Sequence, residues 1–147
     1  MTERWFPDSM PAPMVDTDSL PWWQAAAEQR LTVQRCQDCN HGQLPPTPVC
    51  SVCRSRNLEL GDITGKGTLY TFTTVHRPVA MDQELPFIIA VVELDVPGVD
   101  PKGDAPVRLM TNIVDAEPEV LEIGAEVEVA WEKMSDEVTV PRFRLVG

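Results

Sequence analysis

The stretch "RCQDCNHGQLPPTPVCSVC", residues 35–53, holds all four cysteines of the chain: Cys36, Cys39, Cys50 and Cys53. A CxxC pair sets two sulfurs on one tight turn so that both reach a single ion. Two such turns complete a tetrahedral four-sulfur shell, the preference of Zn²⁺. Ten residues separate the pairs, so the linker can loop out and return the second knuckle beside the first. The spacing predicts structural zinc; a rubredoxin-type iron would suit the same ligands. A redox dithiol needs only one CxxC, and no thioredoxin-like βαβ pattern surrounds these cysteines. Four cysteines close the shell, whereas catalytic zinc keeps an open position. His41, two residues past Cys39, could replace a thiolate, although a solvated knuckle histidine is the commoner arrangement. The metal is therefore read as a clamp on a segment too small to have its own core.

Upstream, a helix is expected over 19–31, with Asp18 or Ser19 as cap and Pro21 in the first turn, where a missing N–H costs nothing. Leu20, Trp23, Ala27 and Leu31 fall on one helical face, with Trp22 beside it. "LTVQRC" (31–36) reads as a strand into the first knuckle, and "LELGDIT" (58–64) as one out of the second. Residues 1–18 contain three prolines and no periodicity, which reads as an extended or disordered tail. Trp5 and Phe6 are unusual there. They form either a recognition tip that orders on a partner or a tail folding back on its own core.

From Gly65 onward the text is all β. Strands are expected at 67–77, 87–95, 106–114, 126–133 and 138–146. The second, "FIIAVVELD", is apolar enough for burial on both faces. The fourth, "EVEVAWEK", alternates Val127, Val129 and Trp131 inward with Glu126, Glu128 and Glu132 outward. Pro141 places the middle of the fifth at an edge or bulge. "EPEVLEIG" (117–124) makes a helical turn between the third and fourth strands. Five strands with that helix in that place are the order of an OB-fold barrel, and Gly65 and Gly67 suit a strand that bends on entering it. A five-stranded meander is the competing arrangement. The expected fold is mainly β: an extended tail (1–18), a helix with a zinc ribbon (19–64) and an OB-fold (65–147).

At 147 residues the chain fits one ordinary domain or two small ones. No apolar run approaches a membrane span, and the N-terminus lacks the apolar segment of a secretory signal, so a reducing cytoplasm is the expected setting. The formal net charge is −11, which opposes a phosphate backbone. Residues 30–58 depart from that sign: Arg30, Arg35, Arg54 and Arg56 face only Asp38, 4 − 1 = +3, while the remainder has 8 basic and 22 acidic residues, −14.

Catalytic signatures are thin. His76, at the end of the first barrel strand, could act as a general base with Asp82 or Glu84, but a rim histidine in solvent is the plainer reading. Tyr70 is expected to pack in the sheet. No GxSxG, Walker loop or helix-opening GxGxxG occurs, and no cysteine remains as a nucleophile. The unspent apolar features are Trp5, Phe6, Trp22, Phe87 and the loops 77–87 and 95–106.

The succession "PWW", "RLTVQRCQDCNHGQLPPTPVCSVC", "GKGTLYTFTTVHRP", "PFIIAVVELD", "VRLMTNIV", "IGAEVEVAWE" and "PRFRLVG" resembles one family over about residues 19–147, the acyl-CoA-associated zinc-ribbon/OB-fold proteins, long catalogued as a domain of unknown function. The resemblance implies a rubredoxin-like zinc ribbon with Cys36, Cys39, Cys50 and Cys53 as ligands, followed by an OB-fold. It further implies partnership with thiolase-fold enzymes, among them the sterol-carrier-protein type of thiolase and related aldolases. Members assist archaeal thiolase–synthase complexes, occur fused to hot-dog-fold hydratases, or join an aldolase that cleaves steroid side-chain acyl-CoA by a retro-aldol step. Two departures stand out: the insert "VPGVDPKGDAP" after "VVELD", and Asn40 where a knuckle glycine is common, a position asparagine tolerates at positive φ.

The expected function is an accessory, non-catalytic subunit of a thiolase-like acyl-CoA complex. Arg30, Arg35, Arg54 and Arg56, with Trp22, Trp23 and His76, are the candidate acyl-CoA or partner contacts, against the plainer reading of a solvated ribbon surface. The alternatives are a single-stranded nucleic-acid binder, disfavoured by charge and by few stacking aromatics, and a stand-alone acyl-CoA enzyme using His76.

Overall fold

The structure, a computed structural model, describes residues 3–100 and 103–147. Helix α1 spans Leu20–Ala27 and is followed by β1 (Thr32–Cys36), β2 (Gly42–Gln43) and β3 (Leu58–Asp62). These strands form a three-stranded antiparallel sheet in the order β2-β1-β3. Five more strands follow: β4 (Lys66–Val75), β5 (Phe87–Leu94), β6 (Arg108–Ile113), β7 (Glu126–Lys133) and β8 (Thr139–Leu145). They close into a barrel in the order β4-β5-β6-β8-β7, the topology expected of an OB-fold. A short 3₁₀ turn at Pro118–Val120 stands between β6 and β7.

Helix α1 is shorter than its pattern suggests because it ends in a Schellman motif. Gln29 takes a left-handed φ of 59°, the Arg30 N–H donates to Ala25 O, and the Gln29 N–H donates to Ala26 O. The buried face is accordingly Trp22, Ala25 and Ala26, while Leu20 and Ala27 are exposed and Trp23 is half-buried. The face phased on Leu31 is thus corrected. Ser19 precedes the helix without capping it, its hydroxyl donating instead to Asp16.

Gly65 and Gly67 mark a close approach at the barrel mouth. Gly65 holds φ +83°, and a Cβ at Gly67 would lie 2.6 Å from Glu93 O. The β4–β5 register slips between Leu69 and Thr71, a bulge that sharpens the bend. Inward positions Leu69, Ala90, Val92, Val127 and Phe143 are buried. β5 alternates buried with half-buried residues, so its outer face is partly open. Ribbon and barrel share one core: Trp22, Ala26, Leu31 and Val33 join the barrel residues in a single cluster.

Two expectations of side-chain placement are overturned. Tyr70 does not pack in the sheet; it is exposed, beneath the Arg108 guanidinium at 3.9 Å. Glu132 is fully buried, although it lies on the outward side of β7. The alternation along β7 persists, but the N-terminal segment folds over its outer face. The Trp5 and Phe6 N–H groups donate to Glu132 Oε2 at 2.6 and 2.9 Å. Arg142 donates to Oε1 through Nε at 2.9 Å and lies 2.8 Å from it through Nη2. Phe6 is buried edge-on to Phe87 and under the Arg142 guanidinium, and Trp5 Nε1 donates to Asp115. From Arg4 to Phe6, this tail is part of the barrel's outer layer.

Candidate functional site

The four cysteine sulfurs lie within 4.8 Å of one another, two on each knuckle. Cys36 Sγ is 3.5 Å from Cys53 Sγ, and Cys39 Sγ is 3.6 Å from Cys50 Sγ. Zn–S bonds of ~2.3 Å in a tetrahedron require sulfur–sulfur edges of roughly 3.8 Å, so the cluster fits the ion.

Both knuckles have one construction. Asn40 N–H donates to Cys36 O and Arg54 N–H to Cys50 O, and the donor residue is left-handed in each, at φ 67° and 63°. Asn40 therefore fills the glycine-like position as expected, and Arg54 is its equivalent in the second turn. The Cys39 and Val52 N–H groups point at the Cys36 and Cys50 sulfurs at 3.5 and 3.4 Å. Backbone donors of this kind stabilise thiolates. With its donor from the Cys53 N–H, the Cys50 thiol is lowered to about 6. The Ser55 N–H also favours the Cys53 thiolate, but the adjacent Cys36 sulfur outweighs it together with the other thiols, and Cys53 is pushed up to about 12. Four thiolates cannot coexist this closely on their own, whereas a divalent cation resolves their repulsion. Zinc held by Cys36, Cys39, Cys50 and Cys53 supplies folding energy to the ribbon.

A polar lattice outside the sulfurs fixes the turns. Ser55 donates to Asp38 across the knuckles, Gln37 N–H donates to Asn57 O, and Gln43 Nε2 bonds Gln34 Oε1 and Thr47 Oγ1. His41 is outside the cluster, with Nε2 3.1 Å from Ser51 Oγ.

Two of the four ribbon arginines are engaged and two are not. Arg30 pairs with Asp62 at 2.7 Å and with Glu28. Arg35 donates to Pro97 O and to Asn40 Oδ1, tying the ribbon to the insert after β5; residues 101 and 102 of that insert lie outside the described residues. Arg54 and Arg56 remain exposed on the second knuckle. Trp22 is committed to the core, its Nε1 donating to Thr32 O, and Trp23 packs edge-on against it. His76, Asp82 and Glu84 are all exposed, and His76 has no hydrogen bond or ion pair with a described residue. Sequence reasoning missed the cluster of Glu132, Arg142 and the Trp5–Phe6 backbone. The one available signal was the pair of aromatics in a proline-rich tail without periodicity.

A zinc ribbon joined to an OB-fold defines a small class of proteins, and known sequences place the chain within it. Residues 23–59 match the family model "ChsH2, rubredoxin-like zinc ribbon domain", and residues 62–132 match "ChsH2, C-terminal OB-fold domain". The chain is 34% identical over 134 residues to a probable enoyl-CoA hydratase alpha subunit of Thermomonospora curvata (91% of this chain, 39% of that one). It is 30% identical to a DUF35 domain-containing scaffold protein of Pyrococcus furiosus (78% of each). It is 28% identical to the 3-oxo-4,17-pregnadiene-20-carboxyl-CoA hydratase alpha subunit of Mycobacterium tuberculosis (85% of this chain, 37% of that one). The two hydratase subunits are thus more than twice as long as the part this chain spans. Among solved structures, the Ltp2-ChsH2(DUF35) aldolase superposes with a TM-score of 0.77 at 34% identity, covering 90% of this chain and 98% of that one. The protein belongs to the DUF35 family of ChsH2-type zinc-ribbon/OB-fold proteins.

Proposed function

We propose that this chain is the accessory, non-catalytic subunit of a thiolase-like acyl-CoA enzyme that makes or breaks a C–C bond, such as retro-aldol cleavage of a steroid side-chain acyl-CoA. The observation that carries the reading is the match, over 98% of its length, to a chain named as part of an aldolase. The scaffold name of the Pyrococcus relative supports the same role. So does the chemistry of this chain, whose metal shell is closed by four sulfurs and whose His76 stands without a described partner. Of the four ribbon arginines, Arg54 and Arg56, on the zinc-clamped knuckle, are the two left to meet CoA phosphates or an acidic partner surface, and the reduced thiol cluster suits the cytoplasm. Co-expression with a thiolase-like acyl-CoA enzyme of the same organism tests the proposal. The expected result is a stable hetero-oligomer with lyase or thiolase activity that the partner alone lacks. A chain that stays monomeric and leaves that enzyme's activity unchanged refutes it.

A further inference from the structure

The barrel closes on one side through its shortest pairing. β6 and β8 run parallel and pair only at Ile113↔Phe143. Two residues before that pair, the strands are joined by a side chain instead of the ladder, the Thr111 hydroxyl donating to Pro141 O at 2.9 Å. Helix α1 packs against β8 beside that closure. The result is a cavity of about 720 Å³ between helix, ribbon loop, N-terminal segment and barrel, with walls that include Trp22, Trp23, Pro45, Phe87, Leu109 and Pro141. That size is in the range of roughly 300–1,000 Å³ typical of small-molecule sites.

We propose that this seam binds the uncharged, ring-bearing hydrocarbon body of an acyl substrate and leaves its charged thioester handle outside. Two features select that class. First, the polar side chains of the lining are already engaged. Thr111 is bonded to Pro141 O, Asn112 donates to Ile88 O and accepts from Arg142, Arg142 is neutralised by Glu132, and Arg108 by Glu93. A phosphate or carboxylate would find no uncommitted cation among these groups, whereas hydrocarbon asks for none. Second, the walls are indoles, a phenyl ring and prolines, rigid flat surfaces that lose little entropy against an equally rigid ring system. The inference deepens the acyl-CoA reading above by naming the substrate portion this chain would hold. It also accounts for Met110 and Val79, which line the cavity yet are exposed by 73% and 66%.

The test uses the isolated full chain, so its failure is separable from failure to find a partner. Androst-4-ene-3,17-dione, a neutral four-ring ketone, is titrated while tryptophan fluorescence and calorimetric heat are followed, with free CoA as a second probe. Saturable binding of the steroid is expected, uncompeted by CoA. Met110→Lys and Val79→Lys, both at exposed rim positions that leave the fold intact, are expected to weaken it tenfold or more. Val120→Lys, an exposed apolar site away from the seam, is expected to leave it unchanged. Absence of saturation up to the steroid's solubility limit overturns the proposal. So does a full-affinity Met110→Lys protein, or a seam whose lysine variants abolish partner assembly while the free wild-type chain binds no steroid.

Discussion

Replacing Glu132 by alanine tests the least expected feature of the structure. Its side chain has no exposed surface, and it accepts from the Trp5 and Phe6 amides and from Arg142. Removal leaves the Arg142 guanidinium, 11% exposed, without its counter-charge. Breaking a buried pair in this way costs about 3–5 kcal/mol, because the surviving charge stays desolvated. Against the ~5–15 kcal/mol that stabilises a domain, that is a large fraction. At ~2–4 °C per kcal/mol for a chain near this size, the melting temperature should fall by roughly 6–20 °C. Thermal and urea unfolding measure the loss, and amide exchange at Trp5 and Phe6 should rise sharply as the tail detaches. The decisive control is Glu132→Ala combined with Arg142→Met, which removes the orphan charge and should be less destabilised than Glu132→Ala alone. A single-variant loss under about 1 kcal/mol, or a double variant that simply adds two losses, would refute the assignment of Glu132 as the tail's buried anchor.

The metal site makes its own demands. Cys50→Ser should release the zinc, seen by elemental analysis, and melt the ribbon's amide protection while much of the barrel's survives. Because bound thiolates carry no proton, zinc affinity should fall as pH drops, with protons taken up as the metal leaves; release that does not depend on pH would contradict four-thiolate ligation. Gly67→Ala would press a methyl to 2.6 Å from Glu93 O and 2.7 Å from Val92 Cγ1, so soluble yield or melting temperature should fall markedly. His76→Ala should keep full zinc content, stability and partner assembly, and a loss of complex activity with assembly intact would give that histidine a catalytic part.

The metal ligands and the barrel were legible from sequence because their signals are local. A CxxC turn carries its own geometry, and the alternation along "EVEVAWEK" together with the strand-helix-strand order predicted β4 to β8 within two residues at each end. Helix α1 was placed but overextended, since the left-handed Gln29 that ends it carries no glycine to mark the stop. Arg30, Arg35, Arg54 and Arg56 looked like one basic cluster because they are close in sequence. In space, Asp62, Asn40 and Pro97 O claim two of them.

Sequence alone therefore determined the zinc clamp and the succession and extent of the barrel strands, set by short-range spacing and by hydrophobic alternation of period two. Tertiary structure alone decided that Glu132 is interior, that Trp5 and Phe6 belong to the barrel, and that helix, ribbon loop and barrel enclose a cavity beside β6 and β8. A residue's outward direction follows from its own strand. Whether that outside is solvent depends on segments more than a hundred positions away, whose approach is governed by packing and leaves no periodic trace in the chain.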